Sequence, residues 1–148
     1  SNDFNLLINL VKKHPLDLKP EKDEVAVHLR VGDIIDDSEY TVKELLEKRR
    51  PFSNGNFYVK PLSFYEKHLT QIQAKKIVIV AGGCRAQDFT KSKVYIEKIK
   101  TLFEESGFNV RTRLGHSPDD DFVYMCRSNL FIQSGGGFSW LVKCCRFN

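Results

Sequence analysis

The sequence predicts an α/β fold, a mainly parallel sheet with helices on both faces. Residues 77–80 form an unbroken β-branched run, which is typical of a strand covered on both sides. Segments with apolar residues at helical spacing alternate with the predicted strands along the chain. The chain has 148 residues, the length of one ordinary domain, so we expect a single domain over 1–148.

Local signals place the elements of the N-terminal third. Asp3 can cap a first helix, which has apolar residues at helical spacing and which Pro15 stops. The first strand follows at residues 25–29. Thr41 and Glu44 have the spacing of a capping box at the start of a second helix, which ends before the next proline.

The rest of the chain continues the alternation of strands and helices. Pro61 opens a helix before the strand at residues 77–80, and the helix after that strand ends at Gly107. The remaining predicted elements are a strand at 108–114, a helix that Ser117 and Pro118 start, a strand at 129–133 and a short helix at 138–144.

Composition excludes several classes of protein. The net charge is only +4, and the basic residues are scattered among acidic ones, so we expect no nucleic-acid partner. No apolar run approaches the ~20 residues of a membrane span. Hydrophobic residues make up 41% of the chain, which suits a folded domain rather than a disordered one.

The four cysteines do not indicate a metal site or a disulfide framework. Cys84, Cys126, Cys144 and Cys145 include no C-x-x-C spacing, so we expect free thiols and no zinc. The acidic run 119–121 resembles a metal cluster, but consecutive helical residues point about 100° apart and do not converge on one ion. We therefore expect no metal.

The first strand ends in residues that packing does not require. His28, Arg30 and Asp33 follow it within "HLRVGD", at the edge of a parallel sheet where ligands bind. A guanidinium offers a rigid fork of donors to phosphate, so Arg30 indicates an anion site; the alternative is a structural ion pair with Asp33 or another acidic residue. By alternation His28 shares the face of Arg30, either as a core residue or as a contact for a base or ribose.

Three glycines precede the last predicted helix. Gly135, Gly136 and Gly137 lose more backbone freedom on folding than other residues, and a chain accepts this cost where its backbone must approach something closely. Free N–H groups at a helix start favour an anion. A phosphate site and a tight turn packed on a neighbour explain the run equally well.

These two chain segments resemble the motifs of a known family. "VHLRVGD" resembles the His-x-Arg-x-Gly-Asp signature of the α1,2-, α1,6- and protein O-fucosyltransferase superfamily. "DFVYMCRSNLFIQSGGGFSW" is similar to the downstream motif of its α1,2 branch, without gaps. The resemblance spans residues 25–142. It implies the C-terminal, Rossmann-like donor half of a GT-B glycosyltransferase that binds GDP-fucose as its donor substrate.

The resemblance also implies roles for the matching residues. Arg30 would neutralise the diphosphate, and His28 and Asp121 would lie near the guanine. The donors on the phosphates would come from the glycine turn and the residues after it, namely Gly135, Gly136, Gly137, Phe138 and Ser139.

The implied reaction is an inverting transfer of fucose to a hydroxyl of a glycan acceptor, without a metal or another cofactor. Asp33, Asp36 and Asp37 are candidate carboxylates for the chemical step. A solvated acidic loop is the plainer interpretation of these residues.

Val31 stands where many members carry a second arginine, and this departure favours an alternative function. The glycine run replaces an Asn-Ser-Thr turn; it keeps the backbone donors but drops the hydroxyls. A GT-B enzyme also needs two facing domains, so we expect either an excised donor domain or a nucleotide-binding module without transfer activity. We expect the protein to be located in the cytoplasm, or in the Golgi lumen if the chain is a piece of a longer protein. A Rossmann-like NAD or methyl-donor enzyme is disfavoured because no G-x-G-x-x-G follows the first strand.

Overall fold

A computed structural model describes residues 4–47, 58–82 and 89–147 of the chain. The strands in these ranges are β1 (Glu24–His28), β2 (Lys76–Ala81), β3 (Asn109–Leu114) and β4 (Leu130–Ile132). The helices are α1 (Asn5–Lys13), α2 (Asp33–Asp36), α3 (Val42–Leu46), α4 (Leu62–Leu69), α5 (Thr90–Glu105), α6 (Pro118–Arg127) and α7 (Gly137–Cys145).

The four strands form one parallel sheet in the order β3-β2-β1-β4. The predicted α/β fold class is therefore confirmed, and each predicted strand is present with its ends shifted by at most one residue. All carboxyl ends lie at the same edge of such a sheet, which brings the ends of β1 and β4 together. The four-residue helix α2 was not predicted, because four residues are too few to show a helical period.

Helices cover both faces of the sheet, as the sequence predicts. Val27 and Ile79 point into a cluster that contains Phe103 of α5 and other residues from α2 to α5. Ala26 and Val78 point the other way, into a cluster with residues of α1, α6 and α7. His28 is two residues after Ala26, so it lies on the same face as α6 and α7.

Predicted caps are present at two helix starts. The Thr41 hydroxyl accepts the N–H of Glu44, and the Glu44 carboxylate accepts the N–H of Thr41, which is the predicted capping box. Ser117 Oγ accepts the Asp120 N–H at 3.2 Å at the start of α6. The predicted cap at Asp3, the proline after α3 and Cys84 lie outside the described residues.

A buried charge sits at the start of β1. Glu24 is 1% exposed, and its carboxylate accepts two bonds from Arg111, at 2.7 and 2.9 Å, and one from the Tyr124 hydroxyl at 2.6 Å. Burial raises the pKa of Glu24, but these hydrogen bonds and the charge of Arg111 outweigh it and leave the pKa below its usual value. The network ties β1 to β3 and α6.

Candidate functional site

The carboxyl ends of β1 and β4 bring Arg30 beside the glycine turn. A Cβ placed on Gly136 would lie 3.8 Å from Arg30 Cδ and 3.9 Å from Nε. Arg30 is exposed, and within the described residues no hydrogen bond or ion pair occupies its guanidinium. The alternative ion pair with Asp33 is not formed between these two described side chains. The guanidinium therefore stays available beside the backbone of the turn.

The three glycines of the turn lie in different environments, so a side chain would have a different effect at each position. A Cβ on Gly135 would lie 2.4 Å from Tyr58 Cα, so this position packs directly on backbone. Gly136 has φ 93° and ψ 163°, a conformation that side chains rarely adopt. Gly137 begins α7 with open space around it. Tight packing thus explains Gly135, whereas close approach to Arg30 occurs at Gly136.

A chain of hydrogen bonds fixes the turn to β1. His28 Nδ1 lies 3.1 Å from the Ser134 hydroxyl, and the Ser134 N–H donates to Ser139 Oγ at 3.0 Å. Ser139 is fully buried, so its oxygen serves to close the turn. Its implied role as a phosphate donor stays a prediction. Burial, followed by the charge of Arg30, lowers the pKa of His28 to about 4, which keeps the ring neutral at pH 7.

Phe138 connects the turn to the start of α6. Its ring centroid lies 5.4 Å from that of His28 and 5.8 Å from that of Phe122. The side chain is 38% exposed at the beginning of α7. The site therefore has a flat apolar surface next to the residues implied for the base.

Asp121 lies at the start of α6, in a buried ion pair. It is 2% exposed, and its Oδ1 accepts a hydrogen bond from Arg113 Nε at 2.8 Å. Burial raises the pKa of Asp121, while the hydrogen bond and charge of Arg113 oppose that effect. Arg113 itself is 6% exposed and stacks its guanidinium 4.7 Å from the Tyr124 ring centroid. The implied contact of Asp121 with guanine is thus left with the second carboxylate oxygen.

The three candidate carboxylates after Arg30 lie on α2 and just beyond it. Asp33 and Asp37 are exposed at its two ends. Asp36 accepts the Lys91 and Ser92 N–H groups at 2.9 and 3.2 Å, and its Oδ2 accepts the Ser92 hydroxyl at 2.6 Å. Asp36 therefore caps the start of α5, and this structural role accounts for its carboxylate. A catalytic role for any of the three stays a prediction.

The structure assigns importance to residues that the sequence did not single out. Ser92 is fully buried and accepts the Gly32 N–H at 2.9 Å, so it anchors the loop that carries Arg30. Ser134 and Arg113 hold His28 and Asp121, respectively. A serine directly before the glycine run was a weak signal for Ser134; the sequence offered none for Ser92 or Arg113.

The described ranges hold no group of three His, Cys, Asp or Glu residues that would bind a metal ion. Cys126, Cys144 and Cys145 are free thiols. None of the helices in those ranges combines the length and the apolar character that crossing a bilayer requires.

The fold is similar to part of the solved structures of POFUT1. The high-resolution crystal structure of POFUT1 in complex with GDP matches over 94% of this chain and 43% of the POFUT1 chain, with a TM-score of 0.51 and 18% identity. A third crystal form of POFUT1 in complex with GDP matches over 96% of this chain and 43% of POFUT1, with a TM-score of 0.51 and 19% identity.

The chain therefore spans less than half the length of the POFUT1 chain. At this level of identity the likeness concerns the fold. No protein-family model and no curated protein sequence matches the chain.

Proposed function

We propose that this chain is the donor-nucleotide domain of a fucosyltransferase-like glycosyltransferase, and that it binds GDP-fucose. The observation that carries the proposal is the exposed Arg30 guanidinium lying against Gly136, at the entrance to α7. The fold that the chain shares with GDP-bound POFUT1 and the two sequence motifs support it.

The diphosphate would lie between two kinds of donor. Arg30 offers charged N–H groups, and the first N–H groups of the nine-residue helix α7 have no acceptor within the helix. The helix dipole adds a partial positive charge at the same place. Because Gly137 has no side chain, an anion could approach these N–H groups closely.

The base would lie across Phe138, toward Asp121. Guanine carries N1–H and N2–H₂ donors, which suit a carboxylate acceptor, and Asp121 Oδ2 would take them while Arg113 holds Oδ1. His28 is neutral and held by Ser134, so it would orient the ribose or base rather than neutralise phosphate.

The same donors would assist the reaction without a metal. When the fucose–phosphate bond breaks, negative charge develops on GDP, and fixed donors at the diphosphate stabilise it. The hydroxyl of a glycan acceptor would attack from the opposite face and invert the anomeric centre. Asp33 and Asp37 remain candidates for the general base, since Asp36 is engaged at α5.

A nucleotide-binding module without transfer activity is the second candidate function. Val31, at the position of a second family arginine, is 5% exposed and belongs to the core, so its side chain adds nothing to the anion site. The carboxylate of Asp36 already accepts hydrogen bonds from Lys91 and Ser92 at the start of α5. Both observations fit a domain that holds the nucleotide but lacks part of the machinery for transfer.

Calorimetric titration with GDP, GDP-fucose, UDP and ADP tests the proposal. We expect GDP and GDP-fucose to bind more tightly than UDP and ADP. Arg30→Ala removes the charged hydrogen bonds to phosphate and should weaken GDP binding by about 10- to 100-fold. Lys98→Ala is the matched control, because Lys98 is an exposed cation on α5, which packs on the other face of the sheet.

Absence of nucleotide binding, a preference for UDP, or equal GDP affinity of Arg30→Ala and wild type would overturn the proposal. Donor hydrolysis and transfer to a panel of galactosides separate the two candidate functions. Tight GDP binding with no turnover in a protein that also contains an acceptor-binding half would favour the module.

A further inference from the structure

A buried ion pair lies behind the residue implied for the base. Arg113, near the end of β3, donates from Nε to Asp121 Oδ1 at 2.8 Å, and the two side chains are 6% and 3% exposed. The Tyr124 ring, whose centroid is 4.7 Å from the guanidinium carbon, holds the arginine in place. Moving two charges out of water costs about as much as their attraction returns, so stability alone does not account for this pair.

Arg113 opposes the effect of burial on the charge of Asp121. Burial raises the pKa of Asp121, and the hydrogen bond and then the charge of Arg113 lower it. Without the cation, a carboxyl as buried as this one would keep its proton to a higher pH. With the cation beside it, Asp121 is an ionised carboxylate at pH 7, and both of its oxygens only accept hydrogen bonds.

The other titratable groups around this carboxyl act more weakly. His116, in the loop before α6, lowers the pKa of Asp121, and the charge of Asp120 raises it. Asp120 Oδ1 lies 3.1 Å from Nε2 of His14, which follows α1. His28, at the end of β1, is neutral at pH 7 because burial lowers its pKa to about 4. The first turn of α7 carries no charged side chain. The buried arginine is therefore the main group that keeps this carboxyl ionised.

The two purine bases require different protonation states of such a carboxyl. The Watson–Crick edge of guanine carries two adjacent donors, N1–H and N2–H₂, which an ionised carboxylate accepts. Adenine carries an acceptor, N1, beside a donor, N6–H₂. A protonated carboxyl offers a donor beside an acceptor and therefore matches adenine. Whether Asp121 is ionised thus decides which purine it fits.

We propose that Arg113 is the positioning residue that makes the site select guanine over adenine, by holding Asp121 as an oriented carboxylate. Arg113 acts through Asp121 and contacts neither base nor phosphate. The inference rests on the proposed function and deepens it, because it assigns the choice of nucleotide to a residue outside both sequence motifs.

Calorimetric titration of the wild type and Arg113→Met with GDP and ADP, at pH 6 and pH 8, tests this inference. We expect the wild type to prefer GDP at both pH values. At pH 6, Arg113→Met should bind GDP about 10- to 100-fold more weakly and lose its preference over ADP, because the protonated carboxyl no longer accepts both donors. At pH 8 the carboxyl ionises, so most of the GDP affinity and the preference for GDP should return.

Arg111→Met is the matched control. Arg111 lies two residues earlier on the same face of β3 and also approaches the Tyr124 ring, but its guanidinium binds Glu24 rather than Asp121. Melting curves show the conditions under which each variant is folded. Folded Arg111→Met should keep the wild-type preference for GDP at both pH values.

A double variant keeps the inference testable if Arg113→Met does not fold. Arg113→Met combined with Asp121→Asn leaves neither charge of the pair in the core, so it should be more stable than the single change. The amide of asparagine offers a donor beside an acceptor, as a protonated carboxyl does. This double variant should prefer ADP to GDP, equally at pH 6 and pH 8.

A measurement without nucleotide reports the charge of Asp121 directly. The ¹³C chemical shift of its carboxyl carbon, followed against pH, should have a higher midpoint in Arg113→Met than in the wild type. Any titration of His14 or His116 is common to both proteins and cancels in this comparison. Equal midpoints, or a loss of GDP affinity of the same size at pH 6 and pH 8, would contradict the role of Arg113 and leave the proposed function standing. A wild type that binds no nucleotide would instead refute the proposed function, and this inference with it.

Discussion

The three glycines at the start of α7 give a graded prediction, because the structure places each in a different environment. Gly135→Ala would put a methyl group 2.4 Å from Tyr58 Cα. Gly136→Ala would force alanine to adopt φ 93° and ψ 163°. Gly137→Ala would place its methyl group in open space at the first turn of a helix.

These environments set the expected size of each effect. In Gly135→Ala the backbone must move apart by roughly 1 Å, and overpacking of this kind costs about 3 kcal/mol. The conformation at Gly136 is nearly confined to glycine, so alanine there costs about 2 kcal/mol. Alanine at Gly137 restricts the unfolded chain without strain and should stabilise the protein by about 0.5 kcal/mol.

Urea unfolding of the three variants measures these differences directly. At about 2–4 °C per kcal/mol for a protein of this size, the two destabilised variants should also separate in melting temperature from Gly137→Ala. Equal midpoints for all three variants, or Gly137→Ala as the least stable, would refute the geometry assigned to the turn.

Three further predictions concern buried polar groups. The pKa of His28 is held at about 4, below its unfolded value, so the unfolded state binds the proton first. Stability should therefore fall, by up to about 3 kcal/mol, as pH drops from about 6.5 toward 4, and His28→Gln should flatten this slope in urea unfolding. Arg111→Met leaves Glu24 buried without its counter-ion and should cost about 3 kcal/mol at pH 7. That cost should shrink at acidic pH, because without Arg111 burial raises the pKa of Glu24 and the carboxylate in the variant takes up a proton, as unfolding at pH 7 and at pH 4 would measure. Ser92→Ala removes bonds to Gly32 and Asp36 and should cost about 2 kcal/mol in urea unfolding, with weaker GDP binding.

Each of these predictions has an outcome that contradicts it. If stability falls with pH in His28→Gln as steeply as in the wild type, a group other than His28 causes the pH dependence. Equal destabilisation of Arg111→Met at pH 4 and pH 7 would show that the lost packing of Arg111, rather than the stranded charge of Glu24, sets the cost. For Ser92→Ala, wild-type stability would mean that water replaces the hydroxyl between Gly32 and α5. Lys98→Ala serves as the surface control throughout.

Much of the fold could be predicted because its signals are local. The β-branched run 77–80 defines β2, and Thr41 and Glu44 start α3 within a single turn. The meeting of Arg30 with the glycine turn could also be predicted, because parallel strands end at a common edge. The partners of buried polar groups could not, because they come from distant parts of the chain. His28 and Ser134 are 106 residues apart, and nothing near either residue indicates the other.

The sequence by itself determined the α/β class, the order of the strands and of all helices except α2, and the two strand ends that carry a cation and a glycine-rich turn. These follow from residue periodicity and backbone preferences, which act over a few residues. Only the tertiary structure decided that Asp36 caps α5 and that Asp121 pairs with Arg113. The reason is physical: a hydrogen bond requires its atoms within about 3 Å, and only the packing of whole elements brings distant residues that close.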